Sequence, residues 1–235
     1  LKIQINLIET AWKYNVKRLL FLGSSCIYPK FSKQPIKEDY LLSGYLEETN
    51  ESYAIAKIAG IKMCEALKKQ YGFDAISLMP TNLYGPGDNY HKDNSHVIPS
   101  LIRRIHNAKI NNLDKVTCWG SGRPLREFLH VDDLADSCIF LLENWLPNNL
   151  EKQFINVGTG TDISIKDLVK KISRIIKYSG RIEWDETKPD GTYRKRLDIS
   201  RIADLGWKPK FNLDEGLSNT IYDYIKNFET KNLRL

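Results

Sequence analysis

Apolar residues recur at two spacings along this chain, and the alternation between them predicts an α/β fold. Residues 3–14 place Ile3, Leu7, Ile8, Ala11 and Trp12 at helical spacing. Lys17 to Gly23 contains the apolar run Leu19-Leu20-Phe21-Leu22, which suits a buried parallel strand. A polar loop rich in Lys, Pro and Glu follows. Residues 51–70 return to helical spacing, with Asn50 as a candidate N-cap. Ala75 to Met79 reads as a second strand, ended by Pro80.

The stretch Tyr84-Gly85-Pro86-Gly87-Asp88-Asn89 is turn chemistry and marks a change of architecture. Beyond it, Val97 to Ala108 reads as a helix, Val116 to Trp119 and Arg126 to Val131 as strands, and Asp132 to Asn144 as a helix. Asp132 and Asp133 sit between strand and helix, where they would serve as an N-cap pair. Phe154 to Val157 forms a strand closed by Gly158-Thr159-Gly160. Ser164 caps a helix running to about Tyr178, and residues 201–206 and 213–227 supply the last helical pieces. Strands that alternate with helices imply a mainly parallel sheet.

Composition narrows the class. The 235 residues are 42% hydrophobic and 27% charged, ordinary for a globular protein with a real core. No stretch approaches the ~20 apolar residues of a membrane span. Net charge is +6, read as a solvated surface or as affinity for an anionic ligand. The run Arg194-Lys195-Arg196 lacks aromatic interleaving, so no nucleic-acid partner is expected. Cys26, Cys64, Cys118 and Cys138 have no paired spacing, which argues against a zinc site or disulfide framework and for a reducing, cytoplasmic setting.

No Gly-rich turn of the dinucleotide-binding type is present, and Gly158-Thr159-Gly160 is too short and too late to serve. The chain opens at Leu1, inside a helical pattern. Both features lead us to expect a piece that holds only the second half of any dinucleotide site.

Candidate chemistry centres on Tyr53 and Lys57. Four residues apart, they share one helix face. A tyrosine pKa of about 10 is too high for easy proton exchange at neutral pH, and a nearby ammonium would lower it. Taken alone, the pair also fits an amphipathic helix with an incidental Tyr and Lys. Ser24 follows the first strand, at the carboxyl end where active sites of open α/β sheets lie.

A strand-end serine followed by Tyr and Lys on the next helix resembles the short-chain dehydrogenase/reductase family. Several strings sharpen this to the GDP-L-fucose synthase family within its extended branch: Leu22-Gly23-Ser24-Ser25-Cys26-Ile27-Tyr28-Pro29, Pro80-Thr81-Asn82-Leu83-Tyr84-Gly85-Pro86, Asn94-Ser95-His96-Val97-Ile98-Pro99, Trp119-Gly120-Ser121-Gly122, and Arg126 to Asp133. Asn156 to Gly160 and Lys188 to Thr192 also match. The matches run in order over nearly the whole chain.

The resemblance implies a Rossmann-like, doubly wound parallel sheet, incomplete at the N-terminus, with a smaller C-terminal α/β substrate domain. Residues 1–86 would complete an NADP-binding domain. Residues 87–235 would be mainly the GDP-sugar domain, with about 126–158 returning to the first sheet.

The implied reaction is 3,5-epimerisation of GDP-4-keto-6-deoxy-D-mannose followed by reduction of its 4-ketone with NADPH. Cys26 and His96 match the family's base and acid, and Ser24, Tyr53 and Lys57 its reduction residues. Leu22, Gly23, Ser24, Ser25, Lys57, Pro80, Thr81, Asn82, Leu83 and His96 would line the NADP(H) site. Arg104, Trp119, Arg126, Asp190 and Lys195 would hold the GDP-sugar. No metal is implied, and a homodimer is expected through residues 3–14 and 51–70.

Other readings of the residues stay open. Cys26 fits a buried small hydrophobe, His96 a loop histidine, and Trp119 core packing. A different nucleotide-sugar epimerase or dehydratase, or a non-catalytic GDP-sugar-binding fragment, would also carry much of the pattern.

Overall fold

The computed structural model describes residues 1–148 and 150–234. In chain order the elements are α1 (Lys2–Lys13), β1 (Leu19–Leu22), α2 (Glu51–Tyr71), β2 (Ala75–Pro80), β3 (Asn82–Tyr84), α3 (Val97–Ile110), β4 (Lys115–Trp119), β5 (Leu125–Arg126) and β6 (Phe128–His130). They continue with α4 (Val131–Asn144), β7 (Phe154–Val157), β8 (Ile163–Ser164), α5 (Ile165–Ile176), β9 (Arg181–Asp185), β10 (Arg194–Lys195), α6 (Ser200–Asp204) and α7 (Leu213–Glu229). Three short 3-10 helices lie between β1 and α2, at Ser25–Ile27, Glu38–Tyr40 and Glu48–Asn50.

The chain forms two compact units. The first comprises Leu1–Asn82, Leu134–Gly160 and Arg196–Pro209; the second comprises Leu83–Asp133, Thr161–Lys195 and Lys210–Leu235.

In the first unit a parallel sheet runs in the order β1-β2-β7. All six residues of β2 are buried, as expected of a central strand with both faces covered. Ile8 and Ala11 of α1, Phe21 of β1, and Ala54, Ile58 and Ile61 of α2 share its core. Gly60 sets how closely α2 approaches the sheet, since a Cβ there would stand 2.5 Å from the Phe21 ring. Gly60→Ala is therefore expected to destabilise the protein. Overpacking costs about 1–3 kcal/mol and outweighs the roughly 1 kcal/mol that alanine gains in a helix. Urea denaturation reads the sign directly: the midpoint falls, whereas an exposed helical glycine would give a rise.

In the second unit, α3, α5 and α7 pack a core built from Ile98, Ile102, Ile105, Leu168, Ile172, Leu217 and Ile221. β4 pairs with β9 in parallel over five residues. The predicted strand 126–131 is instead two strands. β5 pairs with β10 and β8, and β6 pairs with β3, so the chain changes sheets at the buried Glu127.

Two expected caps differ from observation. Asn50 ends the 3-10 turn Glu48–Asn50 and makes no side-chain cap to α2. At α4 it is His130 that caps, its Nδ1 accepting from the Asp132 N–H at 3.3 Å. Asp133 lies inside the helix, and its buried carboxylate accepts from the N–H groups of Lys210 (2.8 Å) and Phe211 (3.1 Å). Ser164 caps α5 as expected, accepting from the Asp167 N–H at 3.0 Å.

His106 is buried against Tyr224 and Phe228, with ring centroids 5.2 and 4.9 Å away. Burial lowers its pKa, Lys109 lowers it further, and Glu229 opposes. A depressed imidazole binds its proton more readily in the unfolded chain. Its contribution to stability is thus complete above the unfolded value of about 6.5 and is lost as pH falls below it. Urea midpoints should drop from pH 7.5 to 5.5, with a smaller drop in His106→Phe. Equal drops in the two proteins would rule out this histidine as a source.

Candidate active site

The carboxyl ends of β1 and β2 build one cluster within the first unit. Gly23 closes β1 by donating to the Leu78 carbonyl at 2.8 Å. It sits so tightly that a Cβ would meet the Met79 sulfur at 2.5 Å. The chain then turns through the 3-10 helix Ser25–Ile27, where the Ser24 hydroxyl accepts from the Cys26 N–H at 3.2 Å. That hydroxyl also hydrogen-bonds Tyr53 on the first turn of α2, and the charge of Cys26 acts on the same phenol. Ser24, Cys26 and Tyr53 are thus brought together. Ser24 and Cys26 are half-buried, and Tyr53 is 45% exposed.

Lys57 lies one turn further along α2. Its Nζ donates to the Leu22 carbonyl at 2.8 Å and stands 5.8 Å from the Tyr53 ring centre. Partial burial lowers its pKa. The expected lowering of the Tyr53 pKa by this ammonium is not what the surroundings produce. Partial burial raises the phenol, the Ser24 hydrogen bond opposes, and Cys26 adds to the rise. The phenol is consequently held protonated at neutral pH, as a proton donor must be.

Several residues expected at a dinucleotide fall at these strand ends. Leu22 is exposed at the tip of β1. Pro80 ends β2, and the Thr81 N–H donates to the Val157 carbonyl at 3.0 Å, aligning this tip with β7. Strand tips with an adjoining lysine suit a nicotinamide and its ribose, because ligands of open α/β sheets lie beyond the carboxyl ends of the strands. Asn82 closes the first unit, while Leu83 and His96 belong to the second.

The second unit holds a cavity of about 280 Å³. Leu101, Cys118, Ile165 and Trp184 give it an apolar lining, and Arg104, Trp119, Arg126 and Asp190 meet in its wall. Trp119 is 67% exposed, which excludes the core-packing reading. Arg104 and Lys188 approach its ring to 5.8 and 6.0 Å. Arg104 also hydrogen-bonds the Thr117 carbonyl. Burial lowers the Arg126 pKa while Asp190 opposes, and its Nη1 donates to the Leu125 carbonyl at 2.9 Å.

Both Asp190 oxygens accept from Ser121, at 2.7 Å from its N–H and 2.6 Å from its hydroxyl, and these bonds hold the carboxyl below its ordinary pKa. Asp190 therefore fixes the Trp119-Gly120-Ser121 turn as well as lining the cavity. Lys195 of β10 is the register partner of Arg126. His96 lines the same cavity from the N-terminal end of α3, with its side chain exposed.

Trp184, Ile165 and Cys118 were not anticipated in this wall. Only the alternation Ile182, Trp184 along β9 could have signalled one of them. Gly122 packs under Trp184 at φ +73°, where a Cβ would stand 2.7 Å from the indole.

A strand-tip serine hydrogen-bonded to a helix tyrosine, with a lysine one turn on, is the arrangement expected of a dehydrogenase site on an α/β scaffold. The chain belongs to the NAD dependent epimerase/dehydratase family, whose model matches residues 1–158. It is 56% identical over 227 residues to GDP-L-fucose synthase 1 of Arabidopsis thaliana, covering 97% of this chain and 69% of that protein. It is 53% identical over 230 residues to GDP-L-fucose synthase of Escherichia coli, covering 96% and 72%. Among solved structures, a GDP-D-glycero-L-gluco-heptose synthase of Campylobacter jejuni, determined in the presence of NADPH, aligns with TM-score 0.85 at 35% identity, covering 95% and 74%. A GDP-L-fucose synthetase of Naegleria fowleri bound to NADP gives 0.87 at 25% identity, covering 99% and 73%. The fold is Rossmann-like.

Proposed function

We propose that this protein is an NADPH-dependent GDP-L-fucose synthase. It epimerises GDP-4-keto-6-deoxy-D-mannose at the two carbons beside the ketone and then reduces the ketone. Identity above 50% to named synthases of a plant and a bacterium supports the activity. The meeting of Ser24, Cys26 and Tyr53 at one strand tip is the observation that carries the mechanism.

Residues 1–86 supply NADPH-binding structure. Residues 87–235 supply mainly the GDP-sugar site, apart from the returns of the chain to the first unit. Arg104 and Arg126, with Lys195, provide fixed positive charge for the diphosphate. Trp119 offers an exposed ring to the nucleotide, and Asp190 holds the turn that carries it.

Protons on carbons beside a ketone are acidic, so epimerisation needs a base on one face and an acid on the other. Cys26 is the base and His96 the acid. Partial burial is the main cause that raises the Tyr53 pKa, and it keeps the phenol in the protonated form that reduction requires. In the second step Ser24 hydrogen-bonds the carbonyl oxygen and Tyr53 donates its proton there. Lys57 binds the nicotinamide ribose, and Leu22 to Ser25 with Pro80 to Asn82 lie against the ring. NADPH, when bound, supplies the hydride.

Incubation with the keto-sugar and NADPH in deuterated water tests the reading. GDP-L-fucose carrying solvent deuterium at both carbons beside the former ketone is expected. NADPH oxidation with no deuterium at those carbons would identify a simple ketoreductase instead.

The protein is also assigned a homodimeric state in a reducing cytoplasm. Ile3 and Leu7 on α1 and Ile55 on α2 are exposed apolar residues on helices that would meet across a two-fold axis. A concentration-independent monomer in sedimentation would exclude that dimer.

A further inference from the structure

Cys26 rides on a turn that is held from behind by a buried polar knot remote in sequence. Tyr28, two residues on, is 4% exposed, and its hydroxyl donates to Asn156 Oδ1 at 2.6 Å. Asn156 is fully buried in β7, and both its side-chain amide N–H groups and its carbonyl oxygen are hydrogen-bonded. Besides accepting from Tyr28, its Nδ2 donates to the carbonyls of Ile36 (2.9 Å) and Asp198 (3.1 Å). Its own N–H donates to the buried Glu38 carboxylate at 2.9 Å, and Arg201 stands 3.8 Å from the same oxygen. Burial raises the Tyr28 pKa well above its ordinary value and Glu38 adds to the rise, so the hydroxyl stays a donor. A neutral aromatic that needed only to fill space here would be phenylalanine. The hydroxyl fixes the rotation and depth of the ring, and with it the backbone two residues upstream.

We propose that Tyr28 and Asn156 are positioning residues for the thiol of Cys26. The turn is pinned on one side by the Ser24 hydroxyl, which ties it to Tyr53, and on the other by Tyr28. The Ser24 tie serves both steps of the reaction. The Tyr28 tie holds the end of the turn beyond Cys26, away from the Ser24–Tyr53 contact, so its loss should slow the thiol's step more than the hydride step. The inference rests on Cys26 being the base.

The experiment compares Tyr28→Phe with the unaltered complete protein in two assays. One follows solvent-deuterium exchange into the keto-sugar. The other follows oxidation of GDP-L-fucose by NADP⁺, which runs the hydride step alone and needs no proton exchange at carbon. Exchange is expected to fall about tenfold, as a base displaced by a fraction of an ångström would cause, while oxidation changes less than about twofold. The alkylation rate of Cys26 by iodoacetamide should shift in the same variant.

If Tyr28→Phe does not fold, Glu38→Gln serves instead, since it keeps an oxygen for the Asn156 N–H while removing the carboxylate behind it. The same selective loss, about two- to threefold, is expected there. An unchanged ratio of exchange to oxidation in the variant that folds overturns the proposal. Cys26→Ser run alongside separates the two claims. If that variant exchanges normally, the base assignment fails. If it is slow while Tyr28→Phe behaves as the unaltered protein does, only the positioning role fails.

Discussion

Tyr53→Phe should lose ketone reduction by about 10²–10⁴-fold, the range a positioned general acid contributes, while deuterium exchange beside the ketone survives. The hydroxyl meets Ser24, and nothing in the exchange step requires a proton from the phenol. The ring that remains still fills the same space on α2, so folding is preserved. The pH dependence follows from the direction of the phenol's shift. Because burial raises its pKa, the donor form persists throughout the neutral range. Reduction should fall only as pH climbs beyond the ordinary phenolic value of about 10. A stopped-flow record of NADPH oxidation across pH 6–9 checks both parts. A decline centred near neutrality with the keto-sugar already epimerised, where only the hydride step remains, would mean that another group supplies the proton.

Cys26→Ser should have the opposite signature, slowing exchange by about 10²-fold or more, because an alcohol is a far weaker acid than a thiol and holds almost no anion at neutral pH. The residue's setting permits the thiolate role. It is half-buried and lies on a turn fixed by Ser24, beside Tyr53. Cys64 differs: it is fully buried, and burial pushes its thiol up to about 12, so it stays neutral and serves the core. Measuring exchange by mass spectrometry in Cys26→Ser, with oxidation of GDP-L-fucose as the control, isolates the base from the hydride step.

How much of this was legible in the chain follows from which patterns are local. Helix α2 is long, so the shared face of Tyr53 and Lys57 could be placed from their four-residue spacing alone. Spacing does not say what the lysine amine reaches. The Leu22 carbonyl that receives it is 35 residues away, and so the expected depression of the Tyr53 pKa did not materialise. The break at Glu127 was hidden because strand partners, not local pattern, decide that β5 and β6 join different sheets. β8 and β10, at two residues each, are too short to carry a period. The cap expected at Asn50 failed because the preceding 3-10 turn already leads the chain into the helix.

The candidate site divides the same way. Arg104, Trp119, Arg126 and Asp190 were marked by resemblance and do line one cavity. Trp184 and Cys118 share that wall only because β4 and β9 pair in parallel, with Cys118 beside Trp184. The knot at Asn156 joins residues 128 and 118 positions apart in the sequence, a distance at which no local signal exists. The returns of the chain at Leu134–Gly160 and Arg196–Pro209 are likewise facts of tertiary contact.

The central claim is a division of labour at one strand tip, with the sulfur of Cys26 moving the proton on carbon and the phenol of Tyr53 moving the proton on oxygen. The direct measurement runs both variants through both assays in deuterated water. Tyr53→Phe should label the keto-sugar without consuming NADPH, and Cys26→Ser should retain oxidation of GDP-L-fucose without labelling. If both variants lose the same step and keep the other, the two side chains do not divide the work, and the mechanism is wrong.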